Sequence, residues 1–229
     1  MKANNQQQVW NKIAKPWSKY RNYPIREVSK FLENKKGKLL DLGCGSGRNI
    51  DVEIINKNLL EYYGVDFSEN MIELAKKKAK ELGIKARLFC SNAEKLEFDD
   101  EFFDNAIFIS TLHCIEGEKA REKSLRELFR VLKNGGEAMI SIWNKDSEIK
   151  VGKLEAKEGF VNWKNDGEVY QRYYYFYDKD ELIYILKEIG FEIIDTKVCD
   201  DEEGKHPKKN IVIYVQKSAD FGSSQKPKE

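Results

Sequence analysis

The stretch Lys38-Leu39-Leu40-Asp41-Leu42-Gly43-Cys44-Gly45-Ser46-Gly47 restricts what this chain can fold into more than any other. An apolar strand runs straight into glycines at alternate positions, where the backbone can take positive φ and lie flat against a ligand. Asp41, near the strand's end, is expensive to bury without a ligand's ammonium group or a set of backbone N–H donors to meet it. A second strand, Leu60-Glu61-Tyr62-Tyr63-Gly64-Val65-Asp66, ends in another acid 25 positions on. That is the spacing of one strand–helix–strand unit, and the second acid is placed to accept ribose hydroxyls. A lone G-x-G is weak evidence and is compatible with a dinucleotide site, but the spacing here is G-x-G-x-G, not G-x-G-x-x-G.

The chain is long enough for one well-filled core, with 229 residues of which 41% are hydrophobic. Its 40 Lys and Arg against 39 Asp and Glu leave a net charge of +1, so there is no global field for polyanions, though a local basic face is compatible with it. No run approaches the ~18 apolar residues of a membrane span, and the N-terminus lacks the apolar core of a signal peptide. The expected location is cytoplasmic. Cys44, Cys90, Cys114 and Cys199 form no C-x-x-C pair, which argues against zinc and disulfides and predicts buried thiols.

In chain order, apolar periodicity predicts a helix over Val9 to Tyr20, interrupted at Pro16, and a second over Ile25 to Glu33 with Pro24 in its first turn. A short helix from about Arg48 to Asn56 precedes the second strand. Ser68 caps a helix running to Leu82, whose Lys76-Lys77-Lys78-Lys80 run is expected to be solvated. Strands follow at Ala86–Cys90 and Phe103–Ile109, each opening into a loop at the carboxyl edge of a parallel sheet, where ligands bind. Those loops carry Ser91 to Leu96 and Ser110 to Ile115. A helix over Glu118 to Leu132, a turn at Asn134-Gly135-Gly136 and a strand Glu137 to Trp143 come next. Residues 144–169 are polar and weakly periodic, and we expect an insertion over the active face. Arg172 to Tyr177 then lead into a helix over Lys179 to Ile189. Phe191 to Cys199 and Asn210 to Gln216 are expected to pair as a hairpin across a charged loop, and 218–229 to be a disordered tail.

With the acid before it, D-x-G-x-G-x-G resembles motif I of the class I S-adenosylmethionine (SAM) methyltransferases. The resemblance implies an α/β Rossmann-like fold: a mostly parallel seven-stranded sheet, helices on both faces, and an antiparallel C-terminal hairpin. Residues 1–36 would cover the SAM pocket and 37–217 form the catalytic domain. It implies that Asp41, Gly43, Cys44, Gly45, Gly47, Asp66, Phe67, Asn92, Ala93 and Ser110 hold SAM, with Asn92 standing where relatives usually carry Asp at the adenine loop. Three further segments resemble the tRNA wobble-uridine carboxymethyl O-methyltransferases, which include the methyltransferase domain fused to an AlkB-type hydroxylase. They are Ile13-Ala14-Lys15-Pro16-Trp17-Ser18-Lys19-Tyr20-Arg21, similar to I-A-x-x-F-S-x-x-R; Phe160-Val161-Asn162-Trp163, similar to F-V-P-W; and Arg172-Tyr173-Tyr174-Tyr175-Phe176-Tyr177 ahead of Glu181-Leu182, similar to R-Y-Y-H-x-[FY]…E-L. The chain departs from that family at Cys114, where His113 is commonly followed by a second histidine, and at Tyr175, where R-Y-Y-H has its histidine.

This narrower resemblance implies methylation of the carboxylate of 5-carboxymethyluridine at the wobble position. A carboxyl group titrates near ~4, so the nucleophile is ionised at neutral pH and needs no general base. Catalysis then reduces to holding oxygen, methyl and sulfonium in line. Arg21, His113, Arg172 and Tyr173 are the candidates for gripping the acceptor, since arginine's fork suits carboxylate and phosphate alike. Of the aromatic run, alternation alone does not say whether Tyr173 and Tyr175 or Tyr174 face inward, and Trp163 is either a base-stacking platform or the insertion's anchor. The expected partners are a tRNA anticodon loop and a small zinc-binding activator that adds a strand to the sheet. Phe103, Ile107, Phe108, Met139, Ile140 and Ile142 are either its contact surface or ordinary core. No metal is expected in the chain itself. A small-molecule C- or O-methyltransferase resembling the quinone-biosynthesis enzymes is the alternative, and a degenerate scaffold is disfavoured by the intact acids and glycines.

Overall fold

A computed structural model describes residues 5–144, 157–200 and 210–219. Helices α1 (Gln6–Tyr20) and α2 (Arg26–Leu32) precede strand β1 (Gly37–Leu42). There follow α3 (Val52–Asn58), β2 (Leu60–Asp66), α4 (Glu69–Glu81), β3 (Arg87–Cys90) and β4 (Phe103–Ile109). Helix α5 (Glu118–Val131) runs into β5 (Leu132–Trp143), then come β6 (Glu158–Asn165), β7 (Glu168–Tyr175), α6 (Lys179–Ile189), β8 (Phe191–Cys199) and β9 (Asn210–Lys217). The main sheet has seven strands in the order β3-β2-β1-β4-β5-β9-β8. Its first five strands are parallel, while β9 runs antiparallel to both β5 and β8. The fold is the expected doubly wound one, with its order reversing between β1 and β4, where a crevice opens for a ligand.

The strands are apolar on both faces because helices cover both. On one face Leu40, Leu42, Phe108, Ile140 and Ile213 pack with Leu125 and Leu128 of α5 and Leu182 and Leu186 of α6. On the other, Leu39, Tyr62, Ile107 and Val212 pack with Val28 and Leu32 of α2 and Ile55 of α3. Helix ends follow local chemistry: Asp51 caps α3, Ser68 caps α4, and Asp178 with Glu181 forms a capping box on α6.

Several expectations change. Helix α3 starts at Val52, not near Arg48, because residues through Ile50 belong to the glycine loop and Asp51 supplies the cap. Pro24 stands ahead of α2's N-cap, Ile25. Phe103, Ile107, Phe108, Met139, Ile140 and Ile142 are all fully buried, so they are core and offer no partner surface. The open edges of the main sheet are β3 and β8. Of the expected insertion, residues 145–156 lie outside the described residues; most of the remainder is strand β6, with the turn and first residues of β7, to which it pairs antiparallel in a separate two-stranded sheet. The expected tail, beyond Ala219, and loop residues 201–209 also lie outside the described residues. Among the described residues no helix is long and apolar enough to cross a membrane.

Candidate active site

The carboxyl ends of β1, β2, β3 and β4 open into a cavity of about 1190 Å³. Its floor is the glycine loop after β1. Gly43 N–H and Cys44 N–H both donate to Val65 O, at 2.7 and 3.0 Å, and pin the loop to β2. Gly45 has φ +53°, and a Cβ built on it meets nothing within 4 Å, so its bare face lies open on the cavity side of the loop. Gly47 has another reason to be glycine: a Cβ there would strike Ile50 and Ala75, so it serves the packing of the loop on α4 and does not line the cavity.

Two carboxylates sit under strong and different constraints. Asp66 lines the cavity and accepts the N–H groups of Gly45 and Ser68, each at 2.9 Å. Burial outweighs those bonds and pushes its pKa up to about 6. Asp41 is fully buried and, by the strand's two-residue period, points with Leu39 to the face that holds Tyr62. Its Oδ2 accepts from the Tyr62 hydroxyl at 2.6 Å and the Asn49 amide at 3.3 Å, while its Oδ1 meets no donor. Burial pushes this pKa up to about 7, against the pull of Tyr62 and Asn49. Asp41 therefore stands behind the cavity wall, not in it; Asn49 is the residue that connects it to the lining.

Phe67, Asn92, Ala93 and Ser110 line the cavity with Gly43, Cys44 and Gly45, as the resemblance implies. Asn92 already uses its Oδ1 to accept Glu94 N–H at 3.2 Å, closing a turn that fixes the β3 loop. Ser110 sits at φ +51°, its N–H bonded to Ser141 O at 2.8 Å, so the chain leaves β4 in a left-handed kink. All four cysteines line the same cavity; only Cys44 is buried as expected, Cys114 and Cys199 are half-buried, and Cys90 is exposed because β3 is an edge strand. Burial holds Cys114 up at about 12, which keeps it a thiol at neutral pH.

The cavity's other side is aromatic. Helix α1 contributes Trp10, Trp17 and Tyr20, the turn after it Arg21 and Tyr23, and β5 Trp143. His113 lines the cavity, buried against the rings of Trp143 and Tyr174, with centroids at 5.3 and 5.5 Å. Arg21 lies over Tyr20 at 4.8 Å and belongs to the lining. Arg172 and Tyr173 do not. Arg172, only 5% exposed, is enclosed by the rings of Trp10, Trp17, Trp163 and Tyr174 and donates to the Tyr174 hydroxyl. Tyr173 points to the opposite side of β7, where its hydroxyl bonds Glu158 and accepts from Arg121 at 2.9 Å. The register is set by Gln6, whose Oε1 accepts Tyr173 N–H at 2.9 Å, and by antiparallel pairing with β6. Tyr174 is thus the tyrosine of this run that reaches the cavity, stacked on Trp143 at 4.4 Å and 8°. Trp163 packs on Trp17 at 4.9 Å and is the hairpin's anchor on α1.

Arg48, Asn49, Thr111 and Trp143 line the cavity without having been singled out from sequence, and Tyr174 is the member of the aromatic run whose facing alternation left open. For Arg48 a signal existed, its place directly after the last glycine of the loop. Its Nε donates to Tyr23 O at 2.9 Å, and burial with the nearby Arg21 charge lowers its pKa to about 10. Lys78 of the lysine run is half-buried, reaching Asn22 O at 2.7 Å beside it. Among the described residues no group of three or more His, Cys, Asp or Glu is placed to hold a metal ion.

This donor set fits SAM on the structure's own terms. The open face of Gly45 admits close approach, Asp66 keeps acceptor capacity beside it for a ribose diol, and Asn49, its amide nitrogen held by Asp41, keeps its Oδ1 as an acceptor for an ammonium group. Comparison with known proteins agrees. Residues 40–140 match the family described as "Methyltransferase domain". The chain is 33% identical over 147 residues to a tRNA (carboxymethyluridine(34)-5-O)-methyltransferase of Xenopus tropicalis, a match covering 63% of this chain and 22% of that protein. It thus spans less than a quarter of that relative's length. An uncharacterized protein of Methanocaldococcus jannaschii is 31% identical over 209 residues, covering 82% of this chain and 77% of the other. Among solved structures, a SAM-dependent methyltransferase from Methanosarcina mazei superposes with a TM-score of 0.69 at 25% identity, covering 86% of this chain and 99% of that one. A chain that matches this domain where its cavity is built, and such an enzyme over most of its length, belongs to the class I SAM-dependent methyltransferases, with SAM as its cofactor.

Proposed function

We propose that this enzyme methylates the carboxylate of 5-carboxymethyluridine at the wobble position of tRNA, giving the methyl ester. The observation that carries the reading is the composition of the cavity wall opposite the glycine loop, where Arg21 stands among Trp10, Trp17, Tyr20, Trp143 and Tyr174, with Arg48 of the loop itself close to Arg21. A planar base bearing a carboxylate asks for that pairing of rings and guanidinium groups. The kinship with the Xenopus tropicalis enzyme supports it.

When bound, SAM supplies an electrophilic methyl group on its sulfonium. The chain's own residues have the remaining work of binding and alignment. Asp66 and Asn49, with Asp41 behind, are assigned to hold the cofactor. Arg21 grips the acceptor's carboxylate, and the Tyr174 hydroxyl, which accepts from Arg172 and bonds the Cys114 sulfur, exchanges that thiol for the acceptor as its hydrogen-bond partner when the nucleoside enters. Both contacts must leave one lone pair of the attacking oxygen free. The stacked Trp143, Tyr174 and His113 exclude water from that side. We also propose the cytoplasm as the site of action and a small zinc-binding activator as an option. Its strand would have to add at β3 or β8, since β4 and β5 are interior.

The test is an anticodon stem–loop RNA carrying carboxymethyluridine at the wobble position, incubated with enzyme and SAM beside the same RNA with uridine there. Nucleoside mass spectrometry should find the methyl ester in the first and nothing in the second. Methylation of both RNAs, or of neither while a free quinone precursor is methylated, would replace this reading with a base methyltransferase or with the small-molecule alternative.

A further inference from the structure

The balanced total charge conceals a segregated N-terminal segment. The chain's first acid is Glu27, and α1 carries Lys12, Lys15 and Lys19 with no acid on it. Spacings of three and four put the three lysines on one stripe, neighbours ~5–6 Å apart, and all three are exposed. Basic residues of other helices are interleaved with acids: Lys76 pairs with Glu73, Lys77 with Glu81, Arg126 with Glu122 and Arg130 with Glu127. On α1 the like charges repel one another with no such compensation inside the helix, a cost that an external polyanion removes.

The opposite side of α1 is already committed. Val9, Ile13 and Ala14 are buried, and Trp10 and Trp17 line the cavity, so the helix has no apolar face to offer a membrane. Its stripe ends at Tyr20, 55% exposed, followed by Arg21 and by Tyr23, 80% exposed, all three on the cavity lining. Cations in a row leading to exposed rings at a pocket's mouth match single-stranded RNA, whose phosphates need the first and whose unstacked bases need the second.

We propose that the outer face of α1, through Lys12, Lys15 and Lys19, carries the RNA backbone and delivers the acceptor nucleoside past Tyr20 and Tyr23 into the cavity. This rests on the reading of the acceptor as an RNA nucleoside. Anion contact is made outside the roof of the cavity, and chemistry takes place beneath it.

The variant K12E/K15E/K19E tests this with an unmodified anticodon stem–loop RNA, its binding followed over a salt series. Wild-type affinity should fall steeply with salt. Three lost contacts at ~0.7 each should remove about two units from the slope of log K against log salt. Affinity at low salt should drop more than about tenfold by the same counterion release, with K12Q/K15Q/K19Q falling between. Unchanged SAM affinity in both variants shows that they are folded. Wild-type RNA affinity and slope in the folded charge-reversed variant would overturn the proposal. So would no RNA binding by the wild type, or a loss confined to binding of phosphatidylserine vesicles. If wild type binds RNA through this stripe but never methylates carboxymethyluridine, the surface stands and the acceptor assignment fails.

Discussion

The floor and the roof of the cavity are built in opposite ways. The floor, from β1 to the loop after β4, is held through backbone N–H groups close in the fold: those of Gly43 and Cys44 on Val65 O, of Gly45 and Ser68 on the Asp66 carboxylate, and of Ser110 on Ser141 O. The roof, α1 with the β6–β7 hairpin, is held by side chains far apart in sequence: Gln6 on Tyr173, Trp17 on Trp163, and Arg172 among rings from α1 and both hairpin strands. The floor's loops after β1, β2, β3 and β4 lie within the residues that match the methyltransferase domain, and both roof elements lie outside them. A cofactor common to many acceptors can be met by fixed backbone geometry. The acceptor is met by side chains, and the roof is where an acceptor can be specified.

The sharpest way to break this division is Asp66→Ala. It should weaken SAM binding more than tenfold, since a charged acceptor of this kind contributes ~1.5–3 kcal/mol. Calorimetry that finds unchanged affinity removes Asp66 from the cofactor site.

Next in size is a pair of roof variants. Tyr174→Phe should lower turnover on carboxymethyluridine RNA about tenfold, the loss of one transition-state hydrogen bond at ~1.4 kcal/mol, with SAM affinity within about twofold. Tyr173→Phe, on the far side of the same strand, should leave turnover alone. It should cost stability of about 1–2 kcal/mol, because Arg121 and Glu158 lose their shared partner. Equal turnover in the two variants would mean that the cavity-facing position of Tyr174 has no part in catalysis.

Arg21→Ala is expected to leave SAM affinity near normal while lowering turnover on RNA. Arg172→Ala should do the same, indirectly, through the lost bond to Tyr174. A wild-type rate in either excludes that arginine.

A smaller effect is titratable. Asp41 and Asp66, held near 7 and 6, keep protons in the folded chain at a pH where the unfolded chain, at 3.8, has released them. The stability these two groups contribute therefore falls as pH rises from about 4 to about 7. SAM, whose ammonium and ribose hydroxyls favour the ionised carboxylates, should bind more tightly as pH rises through 6 to 7. Asp66→Asn should flatten the lower part of that rise in a pH series of binding measurements. A wild-type affinity independent of pH over this window would contradict ionisation on binding.

Floor and roof also differ in how far they could be read from the sequence. Strand-end acids and alternate glycines signal through local spacing, and eight of the ten residues expected at the cofactor line the cavity, all but Asp41 and Gly47; those two and Ser110 are the instructive cases. Asp41 was placed in the wall by spacing, but strand alternation turns it to the Tyr62 side. Gly47 is packing, not contact. Ser110 lines the cavity through a left-handed turn that no propensity for serine announces. The roof was harder. Three consecutive tyrosines carry no alternation to fix a face, and the register that brings Tyr174 inward depends on Gln6, 167 positions away. The hairpin was expected as an irregular insertion because β6 alternates exposed and half-buried residues against only one partner strand, which leaves a weak apolar signal.

The most direct test of the account is the chemical lability of the transferred group. RNA carrying carboxymethyluridine, labelled by the enzyme with SAM bearing a radioactive methyl, should release that label as methanol in mild alkali, because a carboxylate oxygen forms an ester. Label that stays on the RNA through the same treatment would place the methyl on nitrogen, carbon or ribose oxygen and contradict the assignment of the acceptor.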